Sequence, residues 1–134
     1  MKSYTDLEQS KVLSKILPLE SADMYYDDIV DRVTGELFIP NDGSTIKVGK
    51  GLCGTINAWS LAVLLGVLPR RIELEGVAYE LSIYYLNGLY YWNVNNGNLL
   101  LKVKGKDNLV DACVAMIEKL KELNLFYCDY EKRK

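Results

Sequence analysis

The sequence contains no histidine, which removes a large part of enzyme chemistry from consideration. Histidine titrates near neutral pH, so it supplies the general base of Ser–His–Asp triads and is the commonest metal ligand. No other pairing of a nucleophile with a base is recognisable in the chain. We therefore assign no catalytic, cofactor-binding or metal-binding residue, and a protein without enzymatic activity is the favoured interpretation.

Cysteine is scarce, positive charge is not in excess and long apolar runs are missing. Cys53, Cys113 and Cys128 are odd in number and lack metal-ligand spacing, so reduced thiols are expected. No apolar run approaches the roughly 18 residues of a membrane span, and we expect no secretory leader. The net charge of −2 gives no general attraction to nucleic acid or to an anionic membrane. A cytoplasmic protein without membrane contact is expected, and nucleic acid is not favoured as a partner.

What the sequence does contain is typical of a globular domain. Its 134 residues, 49% hydrophobic and 25% charged, predict a single domain spanning residues 1–134, with a frayed tail at residues 128–134. The clearest local signal lies between residues 79 and 103. There Asn87-Gly88 and Asn96-Gly97 each favour a two-residue type I′ turn, which predicts a three-stranded antiparallel meander.

Two-residue turns predict the register of this meander. Leu86 then pairs with Leu89 and Tyr84 with Tyr91, while Tyr91 also pairs with Lys102 in the second hairpin. Side chains alternate between the two faces of a strand. The face that we call the inner face therefore carries nine apolar residues: Leu81, Ile83, Tyr85, Tyr90, Trp92, Val94, Leu99, Leu101 and Val103. The outer face carries a group that we call the tyrosine patch: Tyr84, Leu86, Leu89, Tyr91 and Lys102.

Three segments with helical periodicity are expected to pack on the inner face. Three segments predict helices, each after a residue that can cap it: residues 6–17 after Thr5, residues 58–68 after Asn57, and residues 109–123 after Asp107 or Asn108. The second helix is apolar nearly all round and includes Trp59, which we expect to be buried together with Trp92. The fold class predicted is α+β, a two-layer arrangement with helices packed on one face of an antiparallel β-meander of about three to five strands.

The segment from residue 19 to residue 56 is the hardest to interpret. Short strands are predicted at residues 22–26, 36–39 and 45–48, with a turn at Thr34-Gly35 between the first two. Residues 23–31 are acidic, which leaves open a solvated loop or a cation site formed by the four aspartates Asp23, Asp27, Asp28 and Asp31. The chain lacks the Asp-x-Asp-x-Asp-Gly spacing that would favour the cation site.

A glycine-rich stretch, Gly49–Gly54, has the form G-x-G-x-x-G. The predicted helix and a predicted strand near residues 72–74 follow it, which is the outline of a dinucleotide-binding turn. Too little chain remains for a doubly wound parallel sheet, however, and an antiparallel meander comes next. A nucleotide-binding enzyme that uses Gly49–Gly54 is therefore retained only as an alternative.

Three segments carry a family resemblance: residues 4–11 with 16–26, residues 59–65, and residues 111–120. They resemble small uncharacterised proteins of gut Bacteroidetes and of their phages and prophages. That group has no assigned activity, so no site residue is carried over from it. The resemblance implies a bacterial or phage protein in the cytosol.

The tyrosine patch favours an accessory protein that binds a protein partner or a second copy of itself, because tyrosine is enriched at interfaces. Two interpretations without binding remain open: cross-strand tyrosines also stabilise sheets, and residues 19–46 could cover this face. Besides the nucleotide-binding enzyme, a further alternative is a single-stranded nucleic-acid binder that stacks bases on the sheet tyrosines.

Overall fold

The computed structural model describes residues 2–51, 54–97 and 99–124, with backbone alone at residues 100, 104 and 105. These residues form an α+β fold with antiparallel sheets, as the sequence predicts. The helices are α1 (Leu7–Leu13), α2 (Leu61–Val67) and α3 (Leu109–Glu122). The strands are β1 (Met24–Tyr26), β2 (Ile29–Val30), β3 (Leu37–Phe38), β4 (Ile46–Val48), β5 (Ile56–Ala58), β6 (Arg71–Leu74), β7 (Val77–Leu86), β8 (Leu89–Asn95) and β9 (Leu99–Lys106).

The chain divides into two compact units, with the boundary inside α2. One unit comprises Tyr4–Val63, and the other comprises the chain from Leu64 onward together with the residues before Tyr4. The single domain over residues 1–134 stays a prediction. The tail at residues 128–134, Cys53 and Cys128 lie outside the described residues.

The later unit contains the meander, which is one strand longer than the predicted minimum. Its sheet has the order β6-β7-β8-β9, with every neighbouring pair antiparallel. Strand β6 joins β7 through Glu75 and Gly76, whose φ angles of 54° and 80° are both positive. Positive φ at two successive residues is the requirement of a type I′ turn. The strand predicted near residues 72–74 is therefore an edge of the meander and not part of a parallel sheet.

The first predicted hairpin is confirmed in both turn and register. Asn87 and Gly88 have φ angles of 53° and 83°, as a type I′ turn requires. Leu86 pairs with Leu89, and Tyr84 pairs with Tyr91. Because Asn tolerates the left-handed region and Gly enters it freely, these two residues set this register locally.

The second hairpin was predicted in the wrong register. Lys102 pairs with Asn93 instead of Tyr91, a shift of two residues. The reason is the connection after β8: the next strand begins at Leu99, so three residues and not two separate the strands. Gly97 has the expected positive φ, 103°, but Asn96 does not share it. The irregular pairing between Val94 and Asn95 adds the second residue of the shift, and a further irregularity follows between Tyr90 and Trp92.

The inner face of the meander is packed against α3. Helix α3 contacts β8 and β9, and the buried residues of β8 are Trp92 and Val94. The shift of two residues in the second hairpin preserves the face of each side chain, so Lys102 stays on the outer face. Leu99 is the exception: it pairs with Asn95 and is 61% exposed, so its predicted place on the inner face is wrong.

Helix α3 follows its predicted course closely. Asn108 is the N-cap, its Oδ1 accepting from the Asp111 N–H at 2.9 Å, which decides between the two predicted caps. The buried stripe includes Cys113, Met116, Ile117 and Leu120. Its length and periodicity are sufficient to make this helix predictable from local sequence.

The earlier unit, Tyr4–Val63, has a different sheet from the one expected. Strand β1 is central, with β4 and β5 on either side. The segment at residues 36–39 contributes β3, but β3 pairs with β2 in a separate hairpin and not with β1. The turn at Thr34-Gly35 is present, with Gly35 at φ 75°. Leu7 of α1 packs with Tyr26 and Ala58 in the core of this unit.

The ends of the first two helices differ from the predictions. Asp6, not Thr5, is the N-cap of α1, and Gln9 completes its capping box. Thr5 is buried instead, and its Oγ1 accepts from the Trp59 N–H at 3.2 Å. Trp59 is buried as predicted, but it precedes α2. Asn57, the predicted cap of that helix, belongs to β5.

Candidate functional site

The tyrosine patch is assembled on the outer face of the meander. Tyr84 of β7 and Tyr91 of β8 are directly opposite each other, and their rings stack with centroids 5.3 Å apart and planes 13° apart. Stacked aromatic pairs of this geometry stabilise a sheet and also hold each ring in one orientation. The two rings therefore form a single, fixed aromatic surface.

Lys102 of β9 completes the patch from the third strand. Its Nζ lies 4.9 Å from the centroid of the Tyr91 ring and 5.9 Å from that of Tyr84. Both distances are within the range of a cation–π interaction. Lys102 was predicted to pair with Tyr91 and pairs with Asn93, but its long side chain still reaches both tyrosines. The predicted grouping thus survives the change of register.

Leu86 and Leu89 extend the patch toward the first hairpin turn. They pair directly with each other next to the tyrosine row, and Leu86 is 51% exposed while Leu89 is half-buried. Helix α3 packs on the opposite, inner face, where Trp92 and Val94 are buried. The five predicted partner-binding residues are therefore contiguous on one face of this unit. Two apolar side chains, two stacked phenols and one ammonium group make the surface amphipathic.

The other end of the outer face is polar. Arg71, Glu80 and Asn95 follow one another across β6, β7 and β8, and they line a shallow groove of about 370 Å³ with Ala78, Asn96 and Gly97. The outer face consequently changes from aromatic to polar along the strands.

The glycine-rich stretch does not have the surroundings of a dinucleotide-binding turn. Gly49 and Gly54 have positive φ, but the stretch leads from β4 into β5 and not into a helix. A pyrophosphate in such a turn is held at a helix N-terminus, which is missing here. Lys50 donates from Nζ to the carbonyl oxygens of Glu20 and Ala22, at 2.7 and 2.6 Å. Leu52 and Cys53 lie outside the described residues.

Three carboxylates of the acidic segment accept hydrogen bonds from other groups of the Tyr4–Val63 unit. Asp23 accepts from the Ser60 N–H at 2.8 Å, and Asp31 caps the β2–β3 turn by accepting from the N–H of Val33 at 2.7 Å. Asp27 pairs with Lys47 at 2.9 Å, and this hydrogen bond lowers the pKa of Asp27. Within the described residues no three carboxylate or thiol side chains are grouped to hold a metal ion.

Two further surfaces were not predicted from the sequence. The β2–β3 hairpin exposes five apolar side chains, with Val33 at its tip 93% exposed: Ile29, Val30, Val33, Leu37 and Phe38. A groove of about 490 Å³ lies between the end of α1 and β5. The apolar residues around Asp31–Gly35 were a usable signal for the hairpin. The groove had none, because it joins segments that are far apart in the chain.

The described residues thus form an α+β protein with an amphipathic face on its four-stranded antiparallel sheet. Comparison of the chain with protein-family models, with curated proteins and with solved structures gave no match. None of the helices in the described part of the chain is long and apolar enough to span a membrane.

Proposed function

We propose that this chain is a non-enzymatic accessory protein of bacterial or phage origin that acts in the cytoplasm. It binds a protein partner, or a second copy of itself, through the tyrosine patch. The observation that carries the proposal is the stack of Tyr84 on Tyr91 with Lys102 above both rings.

The patch has the features that make a protein interface favourable. Tyrosine contributes a large contact area at low cost in side-chain entropy, and here the stack has already removed most ring freedom. The ammonium group of Lys102 is held over the rings, so it is positioned to donate to a carboxylate or carbonyl oxygen of a partner. Exposed Leu86 supplies apolar area at the edge, which gains free energy when water is excluded.

The alternatives fit these observations less well. A nucleic-acid binder needs tyrosine faces free for bases and a basic surface, whereas Tyr84 and Tyr91 stack on each other and the net charge is −2. A nucleotide-binding enzyme needs a helix after Gly49–Gly54, and β5 follows instead. A purely structural role for the tyrosine pair is the interpretation that the experiment below tests most directly.

The test is the double substitution Tyr84→Ala with Tyr91→Ala. Light scattering is expected to show that the wild type self-associates, or a pull-down with the tagged protein is expected to recover a partner. The double variant is expected to lose that assembly. Cross-strand pairs contribute roughly 0.2–1 kcal/mol to folding, so the melting temperature should fall only slightly.

Tyr85→Ala is the matched control. Tyr85 neighbours Tyr84 on β7 and is 61% exposed, but it belongs to the inner face, where its ring lies 4.8 Å from that of Tyr90. This variant should keep the assembly. If wild type and double variant are both monomeric and recover the same proteins, the patch is only sheet surface. A gel shift with single-stranded DNA that weakens with salt would instead support the nucleic-acid alternative.

A further inference from the structure

Strand β5 is an edge strand with a groove along its free side. In the order β4-β1-β5 it pairs, among the described residues, with β1 alone, apart from one bridge between Tyr4 and Ser60 just beyond its end. Edge strands present unpaired backbone N–H and C=O groups, which can pair with an additional strand.

Hydrogen bonds at the end of the strand settle their direction. Along an antiparallel strand, the N–H and C=O of one residue point to one side and those of the next residue to the other. The Trp59 C=O accepts from the Thr5 N–H at 3.0 Å, on the side away from β1. The next residue, Ser60, donates its N–H to Asp23, on the β1 side. Asn57, two residues before Trp59, therefore directs its N–H and C=O away from β1.

The groove is formed on that same side. Thr55, Ile56 and Asn57 line one wall, and the end of α1 with the residues that follow it lines the other. Ile56 and Asn57 are consecutive residues of β5 and Thr55 directly precedes them, so the edge of the strand borders the groove. Its volume of about 490 Å³ is within the range of binding clefts. Ile56 and the exposed Leu19 give it apolar walls.

The wall opposite β5, formed by the end of α1 and the residues after it, carries positive charge. Lys11 and Lys15, four residues apart, both line the groove. Lys11 is 3.7 Å from Glu8, whose side chain is 84% exposed, so this ion pair is weak. Lys15 forms no ion pair within the described part of the chain. Two lysines along a strand edge favour a ligand with negative side chains.

We propose that this groove binds a short, extended, acidic peptide segment of another protein, which pairs with β5 as an additional strand. The backbone of the peptide pairs with Asn57, its carboxylates contact Lys11 and Lys15, and its apolar side chains pack on Leu19 and Ile56. Strand addition of this kind takes its affinity from main-chain hydrogen bonds and its selectivity from the side-chain contacts. The groove lies wholly in the Tyr4–Val63 unit, so the inference does not depend on the tyrosine patch.

The first experiment titrates the ¹⁵N-labelled full chain with a blocked peptide, acetyl-Val-Glu-Val-Glu-Val-amide. The amide signals of Thr55–Asn57 should shift, with a Kd on the order of 0.1–1 mM for a generic sequence. The same peptide with lysine in place of both glutamates should bind with a Kd at least about tenfold higher. A glutamate peptide with every backbone nitrogen methylated should also lose binding, because it cannot donate main-chain hydrogen bonds.

Two protein variants complete the test. Lys15→Glu should weaken peptide binding about tenfold, whereas Lys121→Glu, on α3, should leave it unchanged. The double variant Tyr84→Ala with Tyr91→Ala should also bind the peptide with unchanged affinity. Loss of peptide binding and loss of assembly through the tyrosine patch are therefore separate outcomes. The proposal is wrong if the three peptides bind equally or the Thr55–Asn57 signals do not move. It is also wrong if these signals shift with protein concentration alone, since a second copy then occupies the groove.

Discussion

At the scale of single residues, Gly97 and Gly66 allow the effect of backbone conformation to be measured without any steric effect of an added side chain. Gly97, in the second hairpin, has φ 103°, which L-residues rarely adopt, and no other described residue beyond its chain neighbours lies within 4 Å of a Cβ placed there. Gly66, inside α2, is exposed and has an ordinary φ, and its added Cβ is equally free of neighbours. Substitution by alanine therefore changes only backbone preference at both positions.

Gly97→Ala should destabilise the protein by about 1 kcal/mol or more, because alanine is strained at this φ. Gly66→Ala should stabilise it by about 0.5–1 kcal/mol, because alanine restricts the unfolded chain and favours the helix. Urea unfolding of both variants beside the wild type measures the two differences. If both substitutions changed the free energy of unfolding by the same amount in the same direction, the positive φ of Gly97 would be contradicted.

Tyr26 is the residue whose ionisation is most closely tied to folding. Its side chain is buried, and its hydroxyl donates to the Thr5 carbonyl oxygen at 2.6 Å. Burial disfavours the phenolate, and Tyr4 and Asp6 add to this, so the pKa of Tyr26 is raised from 10.0 to about 12. The native state therefore keeps this proton at a pH where the unfolded chain has released it.

The free energy of unfolding should consequently fall as the pH rises from 10 toward the Tyr26 pKa of about 12. Tyr26→Phe should cost about 0.5–1.5 kcal/mol at neutral pH through the lost hydrogen bond. Its deficit should shrink at high pH by up to about 1.4 kcal/mol per pH unit. Burial also raises the pKa of Cys113 to about 12, but that contribution is common to both proteins and cancels in the difference. A deficit that stays constant to pH 12 would contradict the assignment.

At the scale of elements, the second hairpin offers a direct test of strand register. Asn93 and Lys102 are opposite each other on the outer face. Directly opposed residues have Cβ atoms about 4.5–5.5 Å apart, close to the separation of a disulfide, whereas diagonal neighbours are about 7–8 Å apart. The two registers therefore predict different cysteine pairs.

In a chain without its own cysteines, Asn93→Cys with Lys102→Cys should oxidise readily to a disulfide. Tyr91→Cys with Lys102→Cys, the pair from the two-residue turn, should oxidise slowly and incompletely. Mass spectrometry after mild air oxidation distinguishes the two pairs. Preferential oxidation of the second pair would restore the shorter turn and move Lys102 beside Tyr91.

At the scale of the whole molecule, stability is expected to be unevenly distributed. Strands β2 and β3 are two residues each, and all four of their side chains are exposed. Strand β8 is paired on both sides and contains buried Trp92 and Val94. A two-stranded hairpin with little buried area is only marginally stable, while a central strand opens with most of its unit.

Hydrogen exchange should therefore be fastest for the amides of the β2–β3 hairpin and among the slowest for those of β8. The expected difference is at least about a hundredfold, equivalent to roughly 2.7 kcal/mol of opening free energy. Mass spectrometry of peptides from residues 27–39 and 89–95 measures it in one experiment. Comparable protection of both segments would mean that the exposed apolar side chains of the hairpin are covered in solution, for example by a second copy.

The sequence by itself determined those elements whose energies depend on neighbouring residues. Asn87-Gly88 set the first hairpin, and the periodicity after Asn108 set α3. The tyrosine patch followed from the same local rule, alternation along a strand. Its grouping was kept despite the error in the second hairpin, because a shift of two residues at Lys102 leaves this side chain on the outer face.

The tertiary structure decided what depends on distant partners. The residues around Trp59 predict that it belongs to a helix. Its backbone N–H instead donates to Thr5, 54 residues away, and its indole Nε1 donates to Ser21, 38 residues away. These contacts place Trp59 before α2 and draw Asn57 into β5. The groove along β5 also depends on distant parts of the chain. Lys15 and Asn57 line it together, and the position of Asn57 depends on the pairing of β5 with β1. Long-range hydrogen bonds of this kind leave no period in the sequence, because each depends on where the rest of the chain has folded.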